Sequence, residues 1–193
     1  MPDSSRRNEK SRRAILTAAF ELAGEVGYGK LSIEGIAARA GVGKQTIYRW
    51  WPSKGAVLFD AFLMMSEGET GELPYTGDIE RDLKTVLRAT VAELRDERYD
   101  LPMRALNTEM MHDPELARTY TERLEEPMRD MKKSRLRKAV EDGQLSDVDL
   151  DVAVDVIWGP ITVRWMNRSG PLTEEFADVV VETALSGLRS PVA

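Results

Sequence analysis

Apolar residues return every three or four positions through most of this chain, the period of a helix with one buried face. They predict an all-helical protein of about nine helices. The first covers 8–26, with Ile15, Ala19, Leu22 and Val26 on one side and Gly27 to end it. Ser32 then caps a short helix whose stripe is Ile33, Ile36, Ala37 and Ala40, and Gly41 stops it. Val42 plugs the turn, and Gly43 opens a further helix over 44–50. Pro52 and Ser53 break that helix and start a fourth, 53–66, with Val57, Leu58, Ala61, Phe62 and Met65 inward.

A loop rich in glycine and acid, 67–78, separates this region from the rest. Asp78 caps a helix over 78–97 with Ile79, Leu83, Val86, Leu87, Thr90 and Leu94 on one face, and a short helix covers 101–111. Asp113 and Pro114 start a long polar helix that runs to 141 or 142, where Gly143 ends it; Pro127 should kink or split it. Residues 149–168 are apolar almost all round, so this helix is buried on both sides, with core or ligand on one and a second subunit on the other. Gly159 and Pro160 bend it. A last helix, 173–188, carries small Ala184 and Gly187, which allow another helix to come close.

Two short helices joined by a glycine turn, as at 32–50, make the helix-turn-helix shape. Ile47 and Trp51 are four apart and face the first helix of the pair, which leaves Lys44, Gln45, Thr46, Tyr48 and Arg49 on or near the outer face. Those types suit duplex DNA: Lys and Arg pair with phosphates or guanine edges, Gln with adenine, and the Thr methyl touches the thymine methyl. The blander reading is a solvated face on an ordinary helical hairpin. Glycine turn, apolar positions and polar set coincide, which speaks against it.

The segment Ile36-Ala37, Ala40-Gly41-Val42-Gly43, Thr46, Tyr48, Trp50-Trp51 and Lys54 resembles the DNA-binding core of the tetracycline-repressor (TetR) family of bacterial regulators. That resemblance implies a three-helix DNA-binding domain over 1–55, the fourth helix 53–66 as connector, and a ligand-binding and dimerisation domain over 67–193. It also implies a recognition helix in the major groove, with Ser32, Lys44, Gln45, Thr46, Tyr48, Arg49 and Trp50 in the DNA-contacting set and Lys54 on a phosphate. Three positions depart from the family pattern: Gly43 stands for a capping Ser, Trp50 for His, and Gly55 for an acidic residue. The first and last weaken helix caps by about 1 kcal/mol each.

Charge sharpens this picture. The net charge of −6 argues against nucleic acid only if it is uniform, and it is not. Residues 1–55 hold ten Lys and Arg against five Asp and Glu, a local +5, whereas the remainder is −11. Arg6, Arg7, Lys10, Arg12 and Arg13 form a basic lead-in that is either a solvated tail or a backbone contact. The absence of cysteine excludes disulfides and thiolate chemistry and suits a cytoplasmic protein, and no apolar run reaches membrane-spanning length. With His112 the sole histidine, no metal site, cofactor or catalytic constellation is expected, so the chain does not read as an enzyme.

A small-molecule cavity is the second function that the resemblance implies. Met103, Met110, Met111, Met128, Met131 and Met166, with Trp158 and Trp165, offer pliable or flat apolar surface, and Arg104, Asn107 or Arg164 could serve as polar partners. The effector is then apolar or aromatic. The resemblance also implies a homodimer through residues 149–188, and a symmetric dimer fits a palindromic operator. The expected function is a DNA-binding regulator, most simply a ligand-relieved repressor. The alternative is a sensor of the same fold that acts as an activator or without DNA.

Overall fold

The computed structural model describes the backbone of residues 4–66 and 72–189 and the side chains of 8–65 and 72–189. The side chains of Arg6 and Arg7 and the loop residues 67–71 lie outside the described residues. Among those described there are ten α-helices and no strand: α1 (Ser4–Val26), α2 (Ile33–Ala40), α3 (Lys44–Tyr48), α4 (Lys54–Ser66), α5 (Ile79–Arg95), α6 (Glu97–Met110), α7 (Pro114–Tyr120), α8 (Glu126–Glu141), α9 (Leu150–Asn167) and α10 (Glu174–Leu188). A 3-10 turn, Tyr28–Lys30, follows α1, and a π-helical turn, Thr121–Glu125, lies between α7 and α8 in sequence. No described helix is long and apolar enough to cross a membrane.

Two compact units form. The first gathers α1–α4 with α6 and α7, and the second gathers α5 with α8, α9 and α10. In the first, α1 packs on α2, α4 and α6. Ile15, Leu16 and Ala19 of α1 meet Ile36, Ile47, Val57 and Leu58, all of them fully buried. Val26 and Met65, expected to face inward, are exposed; each stands at or next to the end of its helix, past the neighbour that covers the stripe.

In the second unit α10 packs on α5 and α9, and α8 packs on α9. Leu83 and Leu87, Leu136, Ile157 and Ile161, and Val181 and Leu185 form its core. Asp78 caps its helix as expected, and Asp149 and Thr173 cap the last two helices as well. Asp78 accepts from Glu80 N and Arg81 N, Asp149 from Asp151 N and Val152 N, and Thr173 from Phe176 N. Pro127 does interrupt the long polar helix, but the irregular turn falls just before it. Proline has no N–H for the carbonyl four residues back, and that carbonyl belongs to Arg123, inside the π turn. The sixth helix starts at Glu97 rather than 101, because Pro102 removes a single backbone bond and is carried inside the helix, buried.

One polar group is buried in the middle of the second unit. Arg135, 4% exposed, donates from Nη2 to Asp82 Oδ2 at 2.6 Å and from Nε to Pro74 O at 2.9 Å. The Asp82 carboxylate also accepts from Thr76 N and Thr76 Oγ1, so it ties the segment before α5 to α8. Burial works to raise the Asp82 pKa, but the bonds from Arg135 and Thr76 outweigh it and hold the carboxyl below its ordinary range.

Asp82→Asn should therefore cost about 3 kcal/mol at pH 7, because it leaves a buried guanidinium uncompensated. A carboxyl whose folded pKa is depressed stabilises above its unfolded pKa of about 4 and loses that contribution as pH falls through the lower folded value. The difference between wild type and variant in urea unfolding should thus shrink from pH 7 to pH 2.

Candidate nucleic-acid interface

The interface is built from α2, α3 and the turn between them. Ser32 Oγ accepts from Gly35 N at 3.1 Å and starts α2. Gly41 ends it in the left-handed region, φ 67, where its N–H reaches Ala37 O and Ala38 O; a side chain there would be strained. Gly43 starts α3 with extended backbone and no side-chain cap. The helix itself is shorter than the 44–50 expected, since Arg49 and Trp50 already belong to the closing turn.

Its orientation is set by what it buries. Ile47 is fully buried and Trp51 is 4% exposed, both in the core of the first unit. The Trp51 indole N–H donates to Asp60 Oδ2 at 2.9 Å, and Arg12 Nη2 donates to the same oxygen at 3.3 Å. The α3 end is thereby joined to α4 and α1 through one carboxylate. With Ile47 inward, Lys44, Gln45, Tyr48 and Arg49 are exposed and Thr46 is half-buried. Tyr48 alone leaves 56% of its surface open. Trp50 is half-buried and edge-on to Trp51, ring centroids 5.5 Å apart.

Two of the expected contacts carry internal bonds. Lys44 Nζ donates to Glu34 Oε1 at 2.8 Å across the turn, and this hydrogen bond lowers the Glu34 pKa and raises that of Lys44. Lys54 Nζ donates to Tyr28 O and Leu31 O, both at 3.1 Å, and rests 4.1 Å from the Tyr28 ring centroid. An ammonium has three hydrogens, so one remains for a phosphate. Gly55 has a reason of its own. A Cβ there would lie 2.9 Å from Leu116 Cδ2 and 3.0 Å from Glu109 Cγ, so any side chain, including the acidic residue of the family pattern, would require those side chains to shift. Tyr28 OH is buried close by, and burial first, then the Glu109 carboxylate, pushes its pKa far up.

The residues singled out for a cavity fall into both units. In the first, Met103 is buried, Met110 is half-buried and Met111 stands in the turn after α6, 79% exposed. Arg104 pairs with Asp100 at 2.7 Å, and Asn107 Nδ2 donates to Met103 O, so both polar candidates are engaged within their own helix. In the second, Met128 and Met131 are half-buried, and Trp158 and Trp165 are buried. Arg164 stacks on Phe176, 3.4 Å from the ring centroid, and bonds to Pro171 O. Nothing in the chain order points to the Arg12–Asp60–Trp51 node, because its members are 39 and 9 residues apart and one of them belongs to an ordinary basic run.

Comparison with known proteins agrees with this geometry. The family described as "Bacterial regulatory proteins, tetR family" matches residues 15–61, and the "Tetracyclin repressor-like, C-terminal domain" matches residues 73–184. This chain belongs to the TetR family of transcriptional regulators. It is 32% identical over 189 residues to the helix-turn-helix-type transcriptional regulator YdeS of Bacillus subtilis, covering 97% of this chain and 94% of that one. It is 30% identical over 191 residues to the DNA-binding transcriptional repressor TetR of Mycobacteroides abscessus, covering 97% and 98%. The crystal structure of the TetR-family regulator SCO0332 superposes with a TM-score of 0.75 at 33% identity, over 94% of this chain and all of that one. The protein is thus a DNA-binding transcriptional regulator of the TetR fold, and its relatives are regulators rather than enzymes.

Lys54→Met keeps the aliphatic stem but deletes both bonds to the carbonyls of Tyr28 and Leu31. It should lower stability by about 1.5–3 kcal/mol in urea unfolding without DNA, as for hydrogen bonds to a charged group.

Proposed function

We propose that this TetR-family regulator is a ligand-responsive repressor that binds a palindromic operator as a homodimer. One observation carries the reading. A helix of five residues is fixed from behind by Ile47 and Trp51 while Gln45, Tyr48 and Arg49 stand exposed in front. Gln45 reads a base edge, with adenine its natural partner; Arg49 and Lys44 supply base or phosphate contacts, and Tyr48 and Thr46 supply apolar and hydroxyl contact. Ser32 and the third hydrogen of Lys54 reach phosphates at the flanks, with Trp50 against the sugar-phosphate backbone. Lys44 must exchange Glu34 for DNA as it docks.

Dimerisation is supported by the outer face of the second unit. Val152, Val156, Val163 and Met166 recur along α9 at helical spacing and are exposed, as is Val179 on α10. Beside them Gly159 and Gly187 open onto free space. These valines lack a partner in the same chain, and a twofold copy of α9 and α10 would cover them. The two recognition helices would then meet successive major grooves about 34 Å, or a small multiple of a turn, apart.

The division of labour follows from this. Residues 1–55 read DNA, 53–66 connect, and 67–193 bind effector and partner, the effector being apolar or aromatic. Because α6 packs on both α1 and α4, a shift of α6 would be felt by the helices that hold α3. An effector that favours the non-binding arrangement by about 1–3 kcal/mol would weaken operator affinity roughly 5- to 150-fold.

Selecting genomic fragments on the purified protein tests the reading, and a palindromic consensus is the expected outcome. Gln45→Ala should cost about 1–3 kcal/mol on that consensus and much less on random DNA, so the ratio of the two affinities falls. An unchanged ratio would remove Gln45 from the groove. Val163→Glu should yield a monomer in sedimentation that retains its helical circular dichroism and loses operator affinity.

A further inference from the structure

In the second unit several cations that lie against the core have anions to meet them, although Arg164 rests on Phe176 and a backbone carbonyl instead. Lys84 bonds Glu80 and Glu182, Arg88 bonds Asp178, and Arg135 bonds Asp82. On α8 itself, Arg129 and Lys133 both reach Asp151. Lys132, between those two in sequence, has no such partner among the described residues. It is half-buried, and its Nζ lies 5.1 Å from the ring centroid of Trp158, which is itself buried.

The position follows from helical spacing. Met128, Lys132 and Leu136 are four residues apart and share the face of α8 that packs on α9, with Leu136 fully buried. An ammonium has thus been set into an apolar face. Burial lowers its pKa; the carboxylates of Glu125 and Asp155 act only from beyond ion-pair distance, and Arg129, which holds Asp155, opposes them. An indole face offsets only part of the lost hydration. Arg129 and Lys133, on either side of it in sequence, each reach a carboxylate, whereas Lys132 has an apolar face and an indole.

We propose that Lys132, resting on Trp158, receives the carboxylate of a small organic acid whose apolar body lies against Met128 and the indole. The proposal gives the effector of the preceding section its chemical class, and its regulatory consequence rests on that reading. Binding of the acid does not, and it can be measured on the protein without DNA.

The test compares each acid with its neutral amide by titration calorimetry on the full chain: octanoate against octanamide, and 1-naphthylacetate against 1-naphthylacetamide. At least one acid should bind tenfold or more tightly than its amide. Lys132→Met should abolish that preference while leaving amide affinity unchanged, and Lys132→Arg should keep it. The proposal is overturned if neither acid is preferred over its amide by wild type, including the case where nothing binds, or if Lys132→Met retains the preference. A preferred acid that leaves operator affinity unchanged would uphold the anion site and sink the effector reading instead. Failure of the ligand-free protein to select any palindromic fragment, with the acid preference intact, would sink the repressor reading alone.

Discussion

Five residues cannot hold themselves in a helix in water, because nucleation costs more than so few hydrogen bonds return. The surface proposed to read DNA therefore exists only through the contacts behind it. Ile47 supplies burial, Trp51 supplies burial and an indole N–H, and Asp60 receives that N–H together with a bond from Arg12. These contacts fix the rotation of α3 about its own axis. Rotation decides which side chains face outward, so the Gln45, Tyr48 and Arg49 face depends on an arrangement that none of those residues makes.

The same economy governs the base of the module. Lys54 holds the carbonyls of Tyr28 and Leu31, and so fastens the turn between α1 and α2 to the start of α4. Gly55 lets the side chains of Leu116 and Glu109 pack where a Cβ would push them aside. Here a cation that ties a turn and a glycine that admits close packing are neighbours in sequence. Their two requirements explain why the position after Lys54 departs from the acidic residue of the family pattern.

The second unit solves a different problem. Its core carries a fully satisfied carboxylate at Asp82, which binds the loop before α5 to α8, and an apolar α9 with residues on two opposite sides. One side of α9 is filled by Trp158, Ile157 and Ile161; the other shows valines to solvent. A helix of this kind is stable within one chain yet leaves apolar surface uncovered, which is the energetic case for a twofold partner. Lys132 is the exception to the charge pairing around it, and it lies on the inner side.

Periodicity and capping residues carried most of the helical order by themselves. Ser32, Asp78, Asp113, Asp149 and Thr173 cap through local bonds that need no tertiary neighbour, and Gly41 ends α2 by its backbone alone. The helix-turn-helix was equally legible, since glycine, Val42 and Ile47 fall at spacings that only that turn requires. What the sequence could not contain was pairing between distant residues. Arg12 with Asp60, Lys54 with the carbonyls of the turn, Asp82 with Arg135 and Lys132 with Trp158 are meetings of side chains far apart in the chain. Local pattern determined which helices exist and which faces are apolar; three-dimensional packing alone decided which charges are paired inside the protein, because those pairings join residues that the chain order keeps apart.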